Sequence, residues 1–336
     1  MANGLGLRVH RWLSWIVLPP LVCFATLEFT PPSKSQSEGP SHPRSSSIDA
    51  VSTDSGTKPF RIDVNVVQVP VVVADATNHP VIGLEKNNFA LYENGEQQEI
   101  EYFSAEDSPI SVGLLLDLSR SMANKFDAER SAVSEFFKNA NSQDDYFVVT
   151  FSSHPEVLTG ATQSIGTIQA KLDTATPHGG TALLDAISVA MTRMRAARYK
   201  RQALLIISDG GENNSHHKYR EIINLVRDSD VEVYAIGLFD TIFFKTFEEF
   251  MGKKWLGEIT DSTGGRTVPV DHIAKMAEAA ATVSRELRNQ YLLGYRPSNS
   301  ASDGKRRQIK VRVTGSTNPV QLQAYYKRGY VIPKEK

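Results

Sequence analysis

Five oxygen-bearing side chains stand where short loops meet runs of regular structure. Asp117-Leu118-Ser119-Arg120-Ser121 places a carboxylate and two hydroxyls at alternate positions directly after the apolar run Leu114-Leu115-Leu116. Gly179-Gly180-Thr181 offers a third hydroxyl ahead of a helix expected to begin near Ala182. Asp209-Gly210-Gly211 follows the run Leu204 to Ser208 and adds a second carboxylate. The set Asp117, Ser119, Ser121, Thr181 and Asp209 contains no imidazole and no thiolate. Oxygen donors alone suit a hard cation, magnesium first, with manganese or calcium as alternatives. Two carboxylates and three hydroxyls leave room in an octahedron for a carboxylate from outside. The chemistry implied is capture of an acidic residue of a partner protein through the ion, not catalysis.

Competing chemistries lack a residue they need. A phosphotransferase with its Asp after a buried strand wants a second Asp two positions on as general acid, and Ser119 stands there. No Gly-x-x-x-x-Gly-Lys-Ser/Thr loop is present to cradle phosphates. Ser208, in Ile207-Ser208-Asp209, lacks the flanking glycines of a nucleophile elbow. His178 therefore reads as a polar turn residue, and His216-His217 as an exposed helix start. The run Ile242 to Phe247 reads as an amphipathic helix start packed on a sheet.

The elements that must position the five side chains follow from the hydrophobic pattern. Between Ile110 and Asn289 strands alternate with helices, and Val112 to Leu116, Ala203 to Ile207 and Val233 to Ile236 are continuously apolar. Strands of that kind are buried on both faces, which predicts a doubly wound, mostly parallel α/β sheet with helices on each side. In such sheets ligands bind outside the carboxyl ends of the strands, where the three loops fall. Before this region, Val69, Val71 and Val73 alternate, and Glu93-Asn94-Gly95-Glu96 marks a hairpin turn. After it, Tyr291 to Tyr295, Gln308 to Val313 and Val320 to Tyr326 alternate again. Neither flank has strands enough to stand alone, so the two are expected to pack as one small all-β module with the α/β domain inserted in it.

With these residues in place, the chain resembles von Willebrand factor A domains over roughly 108–289. Asp117-x-Ser119-x-Ser121, Thr181 and Asp209 are similar, in chain order and in element, to that family's metal-ion-dependent adhesion site. The resemblance implies that Ser119 and Ser121 ligate the ion directly. It implies that Thr181 and Asp209 do so directly or through water, and that Asp117 acts largely through water. Tyr92-Glu93-Asn94-Gly95, Tyr291-Leu292-Leu293-Gly294-Tyr295-x-Pro297 and Lys327-Arg328-Gly329-Tyr330 further resemble the exported von Willebrand factor A-related family numerous in Acidobacteria.

The remaining features concern placement. Arg8, His10 and Arg11 precede an apolar run from Trp12 to Phe24, the shape of a secretory signal over 1–25, with an uncleaved membrane anchor as the alternative. A Pro/Ser-rich stretch over 26–59 is too poor in apolar residues to fold and reads as a tether. The β-module then takes 60–107 and 290–336. Cys23 is the single cysteine, so no disulfide staples the chain. Across 336 residues, charged content of 22% and a net charge of -1 give no basic excess for nucleic acid. The expected product is an exported protein in the periplasm, on the surface or secreted. Its role is metal-dependent binding or, alternatively, a structural part of an envelope complex.

Overall fold

Three stretches of the chain, Ser111–Asp117, Asp145–Phe151 and Glu232–Leu238, are buried at every residue. Only a sheet covered on both faces can hold such strands. The structure is a computed structural model and describes residues 66–239, 247–299, 301, 303–314, 322–332 and 334. The signal-like segment, the tether and most of Ile242 to Phe247 lie outside the described residues.

In chain order the elements begin with β1 (Val67–Ala74), β2 (Phe89–Glu93), β3 (Glu96–Gln98) and β4 (Tyr102–Ser104). The central part follows as β5 (Ser111–Asp117), α1 (Phe126–Phe137), β6 (Asp145–Phe151), β7 (Pro155–Thr162), α2 (Ile165–Leu172) and α3 (Leu183–Met194). It continues with β8 (Gln202–Ser208), α4 (Tyr219–Arg227), β9 (Glu232–Leu238), α5 (Phe247–Thr263), β10 (Thr267–Val270) and α6 (Met276–Arg288). Four strands close the chain: β11 (Tyr291–Tyr295), β12 (Arg306–Val313), β13 (Gln323–Tyr325) and β14 (Gly329–Val331).

The central sheet runs β10-β9-β8-β5-β6-β7 and is parallel except for the edge strand β7. Side chains of each strand alternate between two cores. Val112, Leu114 and Leu116 of β5 join Ala203, Leu205 and Ile207 of β8 under α1, α2 and α6. Leu115, Leu204 and Ile206 point the other way, under α3, α4 and α5. The doubly wound architecture follows from this two-sided burial. Helix α6 is led in by a short 3-10 turn at Ile273–Lys275 and is α-helical from Met276. Strand β7 was not expected: Pro155 at its start and Gly160 within it weaken the alternation, and it pairs at the edge, where Pro is tolerated.

The flanking strands form two antiparallel sheets, β13-β1-β11-β4 and β14-β12-β2-β3. Each sheet mixes strands from both sides of the α/β part, as in Val69 against Leu293 and Leu91 against Val311. Val69, Val71, Leu91, Tyr291, Leu293 and Val311 share one core between them. The β2–β3 turn puts Asn94 and Gly95 at φ 50° and 89°, conformations for which this pair is suited.

Two arginines tie the parts together. Arg201 donates to the Ser108 carbonyl at 2.7 Å and to Gln290 Oε1 at 2.9 Å, so one side chain holds both ends of the α/β segment. Arg266 pairs with the fully buried Glu286, donates to Asn78 Oδ1 at 2.9 Å and stacks on the Tyr325 ring at 4.9 Å.

Candidate metal centre

Asp117 ends β5 with its side chain wholly buried and both oxygens engaged. Its Oδ1 accepts the Ser119 N–H at 2.9 Å, and its Oδ2 accepts the Ser208 hydroxyl at 2.6 Å. The first bond folds the loop back so that Ser119 and Ser121 face the same way, their Oγ atoms 3.0 Å apart. The second joins the loop after β5 to the loop after β8, since Ser208 Oγ also accepts the Gly210 N–H at 3.0 Å.

The loop carrying Thr181 is pinned over the first. His178 donates its N–H to the Leu118 carbonyl at 2.7 Å, and Arg120 donates to the Gly179 carbonyl at 3.3 Å. Thr181 donates its N–H to Asn213 Oδ1 at 2.9 Å, while its carbonyl accepts the N–H groups of Asn213 and Asn214 at 3.0 Å. The residue is nearly buried, and its Oγ1 and Asp209 Oδ1 both lie against Gly211. Thus the three loops meet at one end of the sheet, and all five expected residues belong to them.

Electrostatics at this end run against charge. Burial, with Asp209 adding repulsion, pushes the Asp117 carboxyl up to about 7. Glu129 of α1 lies behind it, fully buried, and accepts the Asp117 N–H at 3.2 Å on Oε1. Burial and the nearby Asp117 raise its carboxyl well above the usual range, and its Oε2 has no hydrogen-bond partner among the described residues. Asp209 raises the cost of ionising Asp117, and both raise the cost of ionising Glu129. A cation meets the site in Lys125, whose Nζ donates to Asp209 Oδ2 at 2.8 Å. A donor set made of oxygens with surplus negative charge fits a hard divalent ion.

Four participants carried no separate sequence signal. Glu129 lies in the polar-looking Asp127-Ala128-Glu129-Arg130, Lys125 precedes the helix, and Ser208 and Asn213 sit among other polar loop residues. His216 and His217 are exposed, but both ring Nδ1 atoms and both backbone N–H groups engage the Asp185 carboxylate. Those bonds, despite the opposing effect of burial, hold Asp185 well below the usual carboxylate range.

Gly252 of α5 supports the third loop from below. A Cβ there would fall 1.4 Å from the Gly210 carbonyl oxygen, a backbone contact that no rotamer change can relieve. Gly252→Ala is therefore expected to push the Asp209 loop away and cost roughly 1–3 kcal/mol. A thermal melt unchanged from the wild type would refute this.

Residues 112–212 match the family model described as von Willebrand factor type A domain, a span that contains all three loops and all five residues. This stretch is a von Willebrand factor type A domain. Over 177 residues the chain is 23% identical to an uncharacterized protein of Borreliella burgdorferi, covering 46% of this chain and 52% of that one. The match thus spans about half the length of the curated relative. Among solved structures, a von Willebrand factor type A protein from Catenulispora acidiphila is 11% identical, with 81% of this chain and 74% of that chain covered and a TM-score of 0.47. Proximal thread matrix protein 1 of the mussel byssus, solved with a zinc-occupied MIDAS motif, is 19% identical with a TM-score of 0.47, covering 58% and 50%. Among the described residues, no helix outside or inside the A domain is long and apolar enough to cross a membrane.

Proposed function

We propose that this chain is an exported protein-binding module whose A domain holds a divalent cation, magnesium first, and through it captures a carboxylate of a partner protein. The observation that carries the reading is the meeting of three loops in a pocket of oxygen donors whose carboxylates repel one another. Ser119 and Ser121 present their hydroxyls side by side and would hold the ion directly, with Thr181 and Asp209 completing the protein's share. Asp117, both of whose oxygens already accept hydrogen bonds, would act through water and keep the first loop folded. A bound divalent ion would supply the concentrated positive charge that draws in an external carboxylate. The role is binding without catalysis, since the Ser208 proton is directed at Asp117 and not at a histidine.

Export rests on the basic and apolar pattern of residues 8–24. The hairpin at Asn94-Gly95, the β11 motif and Gly329-Tyr330 support a place in the exported family numerous in Acidobacteria. The test is calorimetry of the purified protein with magnesium, manganese and calcium, followed by capture from envelope proteins. Wild type and Ser119→Ala would be compared with and without chelator. Heat and capture should be seen with wild type plus metal and lost in the other arms. A partner retained under all four conditions would overturn the metal-face reading and favour a structural part of an envelope complex.

A further inference from the structure

Lys125 has no part in the five-residue ligand set, yet its ammonium is paired with one of the five, Asp209. Its backbone N–H donates to the Met122 carbonyl at 2.8 Å, and its carbonyl accepts the Glu129 N–H at 3.0 Å. The residue is thereby fixed on the turn that carries Ser119 and Ser121, at the start of α1. From there the mostly buried stem reaches across to the loop after β8, where Nζ meets Asp209 Oδ2 at 2.8 Å. Asp209 is itself almost buried, and its other oxygen accepts a long 3.4 Å bond from the Gly211 N–H. An ammonium on Oδ2 and a divalent ion on the same carboxylate repel each other at short range in a poorly hydrated pocket, so each weakens the other's hold on Asp209.

We propose that Lys125 is a built-in competitor for the metal: it neutralises Asp209 in the metal-free protein and must release that carboxylate when a divalent ion binds. The proposal rests on the metal reading given above. Three consequences follow. The lysine sets the affinity of the site, holding it weaker than its ligand set alone would make it. It keeps the metal-free loops together, since it bridges the first and third of them. It also reports occupancy, because the released amine becomes accessible to solvent.

The experiment uses the full chain, with Lys125→Met and Lys125→Gln as alternative variants. Magnesium titrated calorimetrically should bind either variant about tenfold more tightly than the wild type. In chelator, both variants should melt below the wild type. Amine acylation of the wild type, followed residue by residue by mass spectrometry, should speed up at Lys125 with saturating magnesium while the exposed Lys138 is unaffected. Equal magnesium affinities in wild type and variants, or a Lys125 reactivity indifferent to a metal that calorimetry shows bound, would overturn this proposal alone. No heat from wild type or variants with any of the three ions would overturn the metal reading itself, and displacement with it.

Discussion

In chelator the protein loses stability as the pH rises from about 4 to about 7, and magnesium at a hundredfold excess over Kd offsets much of the loss. The direction follows from Asp117, whose carboxyl is pushed up to about 7 by burial and by Asp209. Across that interval the folded state keeps a proton that the unfolded chain has already released, so folding weakens as pH rises and the fall ends near 7. The contribution of Asp117 is on the order of 4 kcal/mol. Glu129, raised well above its usual range by burial and by Asp117, acts in the same direction. Asp185, held low by the His216 and His217 bonds, finishes titrating below this window and does not oppose the trend. A divalent ion takes the place of the proton, and at a hundredfold excess over Kd it adds about 2.7 kcal/mol. Urea titrations across the interval, with and without magnesium, measure both effects. Asp117→Asn should shrink the slope and abolish the magnesium response, and adding Glu129→Gln should flatten what remains. A slope in Asp117→Asn equal to that of the wild type would sink the assignment.

Glu286→Ala is expected to destabilise the fold by about 3–5 kcal/mol, because it strands the Arg266 guanidinium. Burial is the largest influence on both members of this pair and works against charge on each, so each needs the other. Arg266 Nε donates to Glu286 Oε2 at 3.1 Å, with a second bond from Nη2 to Oε1. The same guanidinium bonds Asn78 and stacks on Tyr325, both of the β-module. The loss should therefore also loosen the module, seen as faster limited proteolysis near β13. The double variant Arg266→Met, Glu286→Leu removes both charges and should recover most of the stability. If Glu286→Ala and the double variant melt alike, the stranded charge is not the cause.

The parts legible in sequence were those with a strong local pattern. Continuous apolar runs such as Ala203 to Ile207 marked strands that the structure buries on two faces. The oxygen-bearing loops were visible because alternate Asp, Ser and Ser after a buried strand is an uncommon combination. Residues acting from outside those loops were not legible. Glu129 sits in a polar stretch of α1, and only tertiary structure shows that it turns inward to the Asp117 N–H. Lys125 is one of many lysines until α1 is placed beside the loop after β8. Strand β7 escaped because its pairing to β6 is interrupted by register irregularities between Tyr146 and Val149, so no clean alternation reached the sequence.

The interleaving of the two flanking segments imposes an order on folding. Leu84 donates its N–H to the Tyr291 hydroxyl across 207 positions, and β1 finds its partner β11 only after the whole A domain has been made. Until then both edges of β1, and the edge of β2 that will meet β12, are unpaired and open to other strands. Joining such distant segments directly would carry the closure entropy of a very long loop. A folded A domain removes most of it, since Arg201 already holds Ser108 and Gln290 side by side. The inserted domain thus acts as a template for its host: it is assembled from nearer contacts and then delivers the two halves of the sandwich to each other in register.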